Sequence, residues 1–110
     1  PAKNGVVYKC EMACIEAPVG SNTSLDIDLV SSTHSRAEDQ TYDGGGGTDE
    51  LSLIAAGASW TKGMRKISAA GLNWTNLAQD YIYLANGSGA NSGGTYTAGK
   101  FIIKFYGANF

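Results

Sequence analysis

One histidine, two cysteines and ten carboxylates are the side chains here with which covalent, metal or acid–base chemistry could be built. A Ser-His-Asp triad, a Cys-His couple or a His-bearing metal site would each have to use His34. That residue lies in the polar run Ser32-Thr33-His34-Ser35 and reads as a solvated loop histidine. Cys10 and Cys14 stand four apart in Val6-Val7-Tyr8-Lys9-Cys10-Glu11-Met12-Ala13-Cys14-Ile15, which alternates like a strand. In an extended strand their Cα atoms would be about 13 Å apart. A disulfide needs less than about 7 Å, so the two do not pair within the strand. They read as buried thiols suited to a reducing compartment of synthesis. Without a second Cys/His pair they do not form a zinc site either.

The carboxylates fall into two groups. Asp26 and Asp28 occupy i and i+2 on one face of Ser24-Leu25-Asp26-Ile27-Asp28-Leu29-Val30. Together with loop carbonyls they could contribute to a Ca2+ site. A glycosidase pair would face across a cleft, about 5–10 Å apart, rather than run along one strand. The preferred reading is a solvated strand face whose charges suppress edge pairing. Glu38-Asp39, Asp43 and Asp49-Glu50 bracket Gly44 to Gly47. Their spacing does not match an EF-hand loop, although a looser Ca2+ loop over 38–50 stays open. The four glycines lack the Gly-Lys-Ser/Thr ending of a phosphate loop, which argues against nucleotide binding. No nucleophile–base set can be assembled around His34. The chain therefore reads as non-enzymatic, with no catalytic, cofactor or metal residue assigned. Trp60, Trp74, Tyr81 and Tyr83 could stack sugars as an aromatic platform, or fill a core and its rim. Asn22, Asn73 and Asn86 each begin an Asn-x-Ser/Thr site, which matters only in a secreted eukaryotic protein.

The elements that must position these residues are strands. The first, about Val6 to Glu16, places Val6, Tyr8, Cys10, Met12 and Cys14 on one face and Val7, Lys9, Glu11, Ala13 and Ile15 on the other. Turn residues Pro18 to Asn22 lead into Ser24 to Val30, apolar and acidic in strict alternation. Polar residues 31–49 predict a long surface loop. Glu50 to Ala55 predicts a third strand, and 58–67 a short interrupted strand around Trp60 and Met64. Residues 71–77 are ambiguous between loop, strand and a single helical turn. Asp80 to Ala85 alternates with two Tyr on one side and Ile82 and Leu84 on the other. A turn-rich connection follows, and then Lys100 to Tyr106, burying Phe101, Ile103 and Phe105 if Lys104 faces water. The tail ends on Phe110, which either folds back or docks into a neighbouring chain.

The 110 residues allow one domain over 1–110, and charged residues make up only 16%. Gly, Ser, Thr and Asn replace the missing charge, with Gly alone at 15. Short strands between Gly-rich turns predict an all-β antiparallel sandwich or small barrel of six to eight strands. The net charge of −2 and the lack of a Lys/Arg run argue against a nucleic-acid partner. No apolar stretch approaches the ~18–20 residues of a membrane span. The opening Pro1 fits loss of an initiator Met, and with no signal-peptide pattern the expectation is synthesis in a cytoplasm without export.

Three stretches carry a family resemblance: Ser24 to Val30, then Ala58-Ser59-Trp60-Thr61-Lys62-Gly63, then Tyr83-Leu84-Ala85 through Tyr96-Thr97-Ala98-Gly99-Lys100 to Gly107. The chain resembles small virion structural proteins of tailed bacteriophages, of the head-decoration or cement class. That resemblance implies a jelly-roll-like sandwich on the capsid surface, clamping subunits of the major capsid protein, often as a homotrimer. It implies no cofactor, and a protein made in the host cytoplasm and carried on the virion. Loop 31–49 and the two termini would be the contact elements. A carbohydrate-binding or adhesion module, as in a fibre, is the alternative.

Overall fold

The computed structural model describes residues 6–21, 23–32, 50–68, 81–87 and 95–108. These form six strands: β1 (Val6–Gly20), β2 (Ile27–Ser32), β3 (Glu50–Ile54), β4 (Arg65–Ile67), β5 (Tyr81–Asn86) and β6 (Tyr96–Ala108). They make two three-stranded antiparallel sheets, ordered β4-β1-β6 and β3-β2-β5. The all-β class follows the alternation in the sequence, while β1 starts at Val6 as expected but runs on to Gly20, β2 is shifted to Ile27–Ser32, and β6 extends beyond Lys100–Tyr106 at both ends. The interrupted strand around Trp60 shrinks to β4, and Trp60 itself stands in the connection before it.

The buried cluster draws on both sheets. Cys10, Met12 and Cys14 come from β1, Ile27 and Leu29 from β2, and Leu53 and Ile54 from β3; Ala56 and Trp60 complete it. Phe101 and Ile103 of β6 pack against it, half-buried. Phe105 pairs with Cys10 but is exposed, so only two of the three apolar residues expected there contribute to burial. Lys104 faces solvent.

Trp60 ties the sheets together. Its indole Nε1 donates to the Ile27 carbonyl at 2.8 Å, and its amide donates to Leu25 O at 3.1 Å. The ring meets Phe101 of the other sheet edge-on, with centroids 5.2 Å apart and planes at 80°, a favoured aromatic geometry.

β1 is not a regular strand. Its pairing with β6 slips between Val7 and Lys9, between Cys14 and Glu16, between Glu16 and Val19, and between Val19 and Gly20. Tyr8 and Ile15 are the residues left over at the first two slips, and Val19 lies at the last two. An extra residue bends the strand and re-aims side chains. Tyr8, Ile15 and Val19 are accordingly the large apolar residues of β1 that stand exposed. Tyr8 therefore leaves the face it was expected to share with Cys10. At the third slip Gly99 faces Pro18: its φ of 141° favours glycine, and a Cβ there would approach Pro18 Cα to 3.1 Å. A slip in β3 between the partners of Leu29 and Val30 lets the consecutive residues Leu53 and Ile54 both be buried.

Candidate functional site

The carboxylates of β2 do not face water. Asp26 and Asp28 are buried, at 5% and 4% exposure. Period-two polarity read as a solvated face is overturned here, because the connection 55–57 and Gly87 close over the acids. Ala56 N–H donates to Asp28 Oδ1 at 3.0 Å, and the Gly57 amide donates to the Asp26 carboxylate. The two carboxyls influence each other's titration, and Asp26 Oδ1 is buried without a hydrogen-bond partner. Burial, foremost, raises both pKa values above the usual carboxylate range, and for Asp28 the neighbouring charge of Asp26 adds to it. Tyr96 Oη donates to the Asp26 carbonyl at 3.1 Å, and burial followed by the two acids pushes its phenol up as well. Gly87 fits so closely that a Cβ would lie 2.2 Å from Asp26 Oδ2. Among the described residues no third Cys, His, Asp or Glu joins the pair to make a metal-holding group. The alternative Ca2+ loop over 38–50 lies outside the described residues, apart from Glu50.

The other sequence candidates separate. Cys10 and Cys14 are free and buried, with thiol pKa values raised by burial, as inert structural thiols are. The Cys10 amide donates to Ser68 Oγ at 3.0 Å, and the Ser68 side chain works against burial at this thiol. Trp60, buried to 1% exposure, is no part of an aromatic platform. Tyr81 and Tyr83 do share a side of β5, with ring centroids 6.3 Å apart and planes at 34°, and Tyr81 is exposed. His34, Trp74, Asn22 and Asn73 lie outside the described residues, as do most of loop 31–49 and both termini.

A second cluster was not singled out from the sequence. Glu11 lies on the face of β1 opposite Cys10 and Met12, yet only 12% of its side chain is exposed. Lys9 Nζ approaches Glu11 Oε2 to 3.9 Å, Arg65 Nη1 approaches Oε1 to 3.7 Å, and Tyr106 Oη donates to Oε2 at 3.3 Å. Lys9 also sits 4.6 Å from the Tyr106 ring centroid, within cation–π range. Register places Lys104 and Ile67 on either side of Glu11, and Ile102 and Arg65 on either side of Ala13. Directly paired residues share a face, so this outer face holds three cations, one carboxylate and two exposed isoleucines. The alternation around Glu11 was visible; its neighbours come from residues 65–67 and 102–106, which only the pairing reveals.

No family model, curated protein or solved structure matches the chain. Among the described residues no helix is long and apolar enough to cross a membrane.

Proposed function

We propose that this chain is a structural module working by protein–protein contact, and that its setting is the outer surface of a bacteriophage capsid. In this reading the two sheets close as a jelly-roll-like sandwich and the module decorates and stabilises the major capsid protein. The observation that carries the contact role is the treatment of Tyr8, Ile15 and Val19. Each sits at a register slip of β1 and is held in solvent, while the intervening Cys10, Met12 and Cys14 are buried. Bulges that turn apolar groups outward from a rigid strand suit a surface made to be covered. The capsid setting rests on the three sequence stretches described above.

The test is mass spectrometry of gradient-purified virus particles from the source culture. Copies in the hundreds per particle support decoration. A few copies indicate a tail or fibre component, and absence from the particle band removes the virion setting. A sugar-binding module is the second reading, kept by the Tyr81–Tyr83 pair on β5. Saturable binding on a glycan panel that is lost on Tyr81→Ala would favour it.

A further inference from the structure

Asn86 ends β5 and Gly87 follows it, a pair with a chemistry of its own. The Gly87 nitrogen can attack the side-chain carbonyl carbon of Asn86. The new N–Cγ bond closes a succinimide ring while the Cγ–Nδ2 bond breaks, and the side-chain nitrogen leaves as ammonia with the amide proton of Gly87. Water then opens the ring at either carbonyl, leaving aspartate or isoaspartate at 86. Glycine hinders this ring closure least, because no Cβ shields its nitrogen. Packing forbids a bulkier neighbour here: a Cβ at 87 would overlap the Asp26 carboxyl, so only glycine fits.

The folded chain opposes the attack. Gly87 N–H donates to the Asp26 carbonyl at 2.9 Å, which engages the attacking group. That acceptor is anchored from the other sheet, since Tyr96 Oη of β6 donates to the same oxygen at 3.1 Å. Asn86 pairs with Ile27, and the extended ψ of an antiparallel strand, about +135°, turns the next nitrogen away from the side chain. The restraint nevertheless sits where opening is cheap. Asp26 Oδ1 is buried without a hydrogen-bond partner, a cost that opening relieves. Among the described strands β5 pairs with β2 alone, and it leaves Tyr81, Ile82 and Leu84 exposed. Strand ends with so little burial open at low local free energy.

We propose that Asn86-Gly87 is a spontaneous deamidation site kept locked by its contact with Asp26 and Tyr96, and that opening of this end of β5 is recorded irreversibly in the chain. This goes beyond the capsid reading and is tested on the chain alone. Isoaspartate adds a methylene to the backbone, so a chain converted to it does not reseat Gly87 on Asp26.

The experiment incubates the full chain at neutral pH, native and in urea, and follows the tryptic peptide between Lys66 and Lys100 by mass spectrometry. Fragmentation assigns the exchange of amide nitrogen for oxygen to Asn86, and enzymatic methylation counts the isoaspartate. Asn4-Gly5, the other Asn-Gly pair of the chain, is the reference in urea, where both should convert at similar rates. The expected native rate at Asn86 is lower than its urea rate by about tenfold or more. Tyr96→Phe, which removes the anchor on the Asp26 carbonyl, brings the native rate back toward the urea rate. Should Tyr96→Phe not fold, hydrogen exchange at the Gly87 amide of the parent chain is the readout. Its protection should match the slowing of deamidation, since both need the same opening. Equal native and urea rates overturn the lock, and so does an unprotected Gly87 amide. A folded Tyr96→Phe chain that converts at the parent rate overturns the part given to Asp26 and Tyr96. Conversion at Asn4 in urea with none at Asn86 overturns the site itself.

Discussion

Asp26 and Asp28 make the protein's response to pH a local matter. Their folded pKa values lie above the unfolded ones, so at intermediate pH the folded state binds more protons than the unfolded state. Stability then falls as pH rises. The loss begins near the unfolded carboxylate value of about 3.9 and continues through the raised folded values. Urea midpoints measured across this range should decline in the parent chain. In Asp28→Asn the decline should be shallower, because one titrating group is gone and the amide of Ala56 still finds an oxygen. An unchanged slope would mean that Asp28 does not titrate above its unfolded value in the folded chain. The same two residues mark the limit of reading a strand by polarity alone. Alternation correctly set Leu25, Ile27 and Leu29 against Asp26 and Asp28. What covers the acid side comes from residues 55–57, Gly87 and Tyr96, about thirty to seventy positions away, and no spacing near Asp26 announces them. For Trp60 the sequence left platform and core both open, and the Ile27 carbonyl and the Phe101 ring decide for the core.

Among the elements, β1 shows how pairing edits a periodic pattern. Its alternation was legible and the buried Cys10, Met12 and Cys14 follow from it. The slips were not, since a bulge is a property of two strands and is written in neither alone. Ile15 illustrates the consequence. As the unpaired residue between Cys14 and Glu16, it can be deleted with Phe101 and Lys100 still facing the same partners. Deleting Ala13, paired with both Arg65 and Ile102, moves one side of β1 out of register. Thermal unfolding followed by far-UV circular dichroism should show a smaller loss for the first deletion than for the second. Equal losses would mean that the slip is not a tolerated bulge. The connection before β4 is held by a different device. Trp60→Phe keeps the ring against Phe101 but orphans the buried Ile27 carbonyl, at a cost of about 1–3 kcal/mol readable as a lower urea midpoint. No loss would mean that the Nε1 bond is dispensable.

For the molecule as a whole, the core belongs to both sheets, so reaching it means separating them. Cys10 and Cys14 report on this directly. Both are buried with raised thiol pKa values, and little thiolate is present at neutral pH. Their reaction with a disulfide reagent should be slow in the native chain and fast in urea, with a native rate set by opening of the structure. Fast native labelling would show that the β1 face opens locally without unfolding.

The pairing of β1 with β6 joins Val6 to Ala108, in the first and last of the described strands to be made. Among the described strands, β4 with its three residues is the neighbour β1 has until β6 is made. For the remaining stretch of synthesis, on the order of seconds at roughly 5–20 residues per second, a long strand edged with Cys, Met and exposed tyrosine has one side unclaimed. Closing the sheet then means bringing Val6 and Ala108 together across all the chain between them, an ordering cost that favours slow folding. A product cut off before Tyr96 is therefore no smaller edition of the fold. It is an open strand in search of any other, and the cell must finish it, shelter it or destroy it.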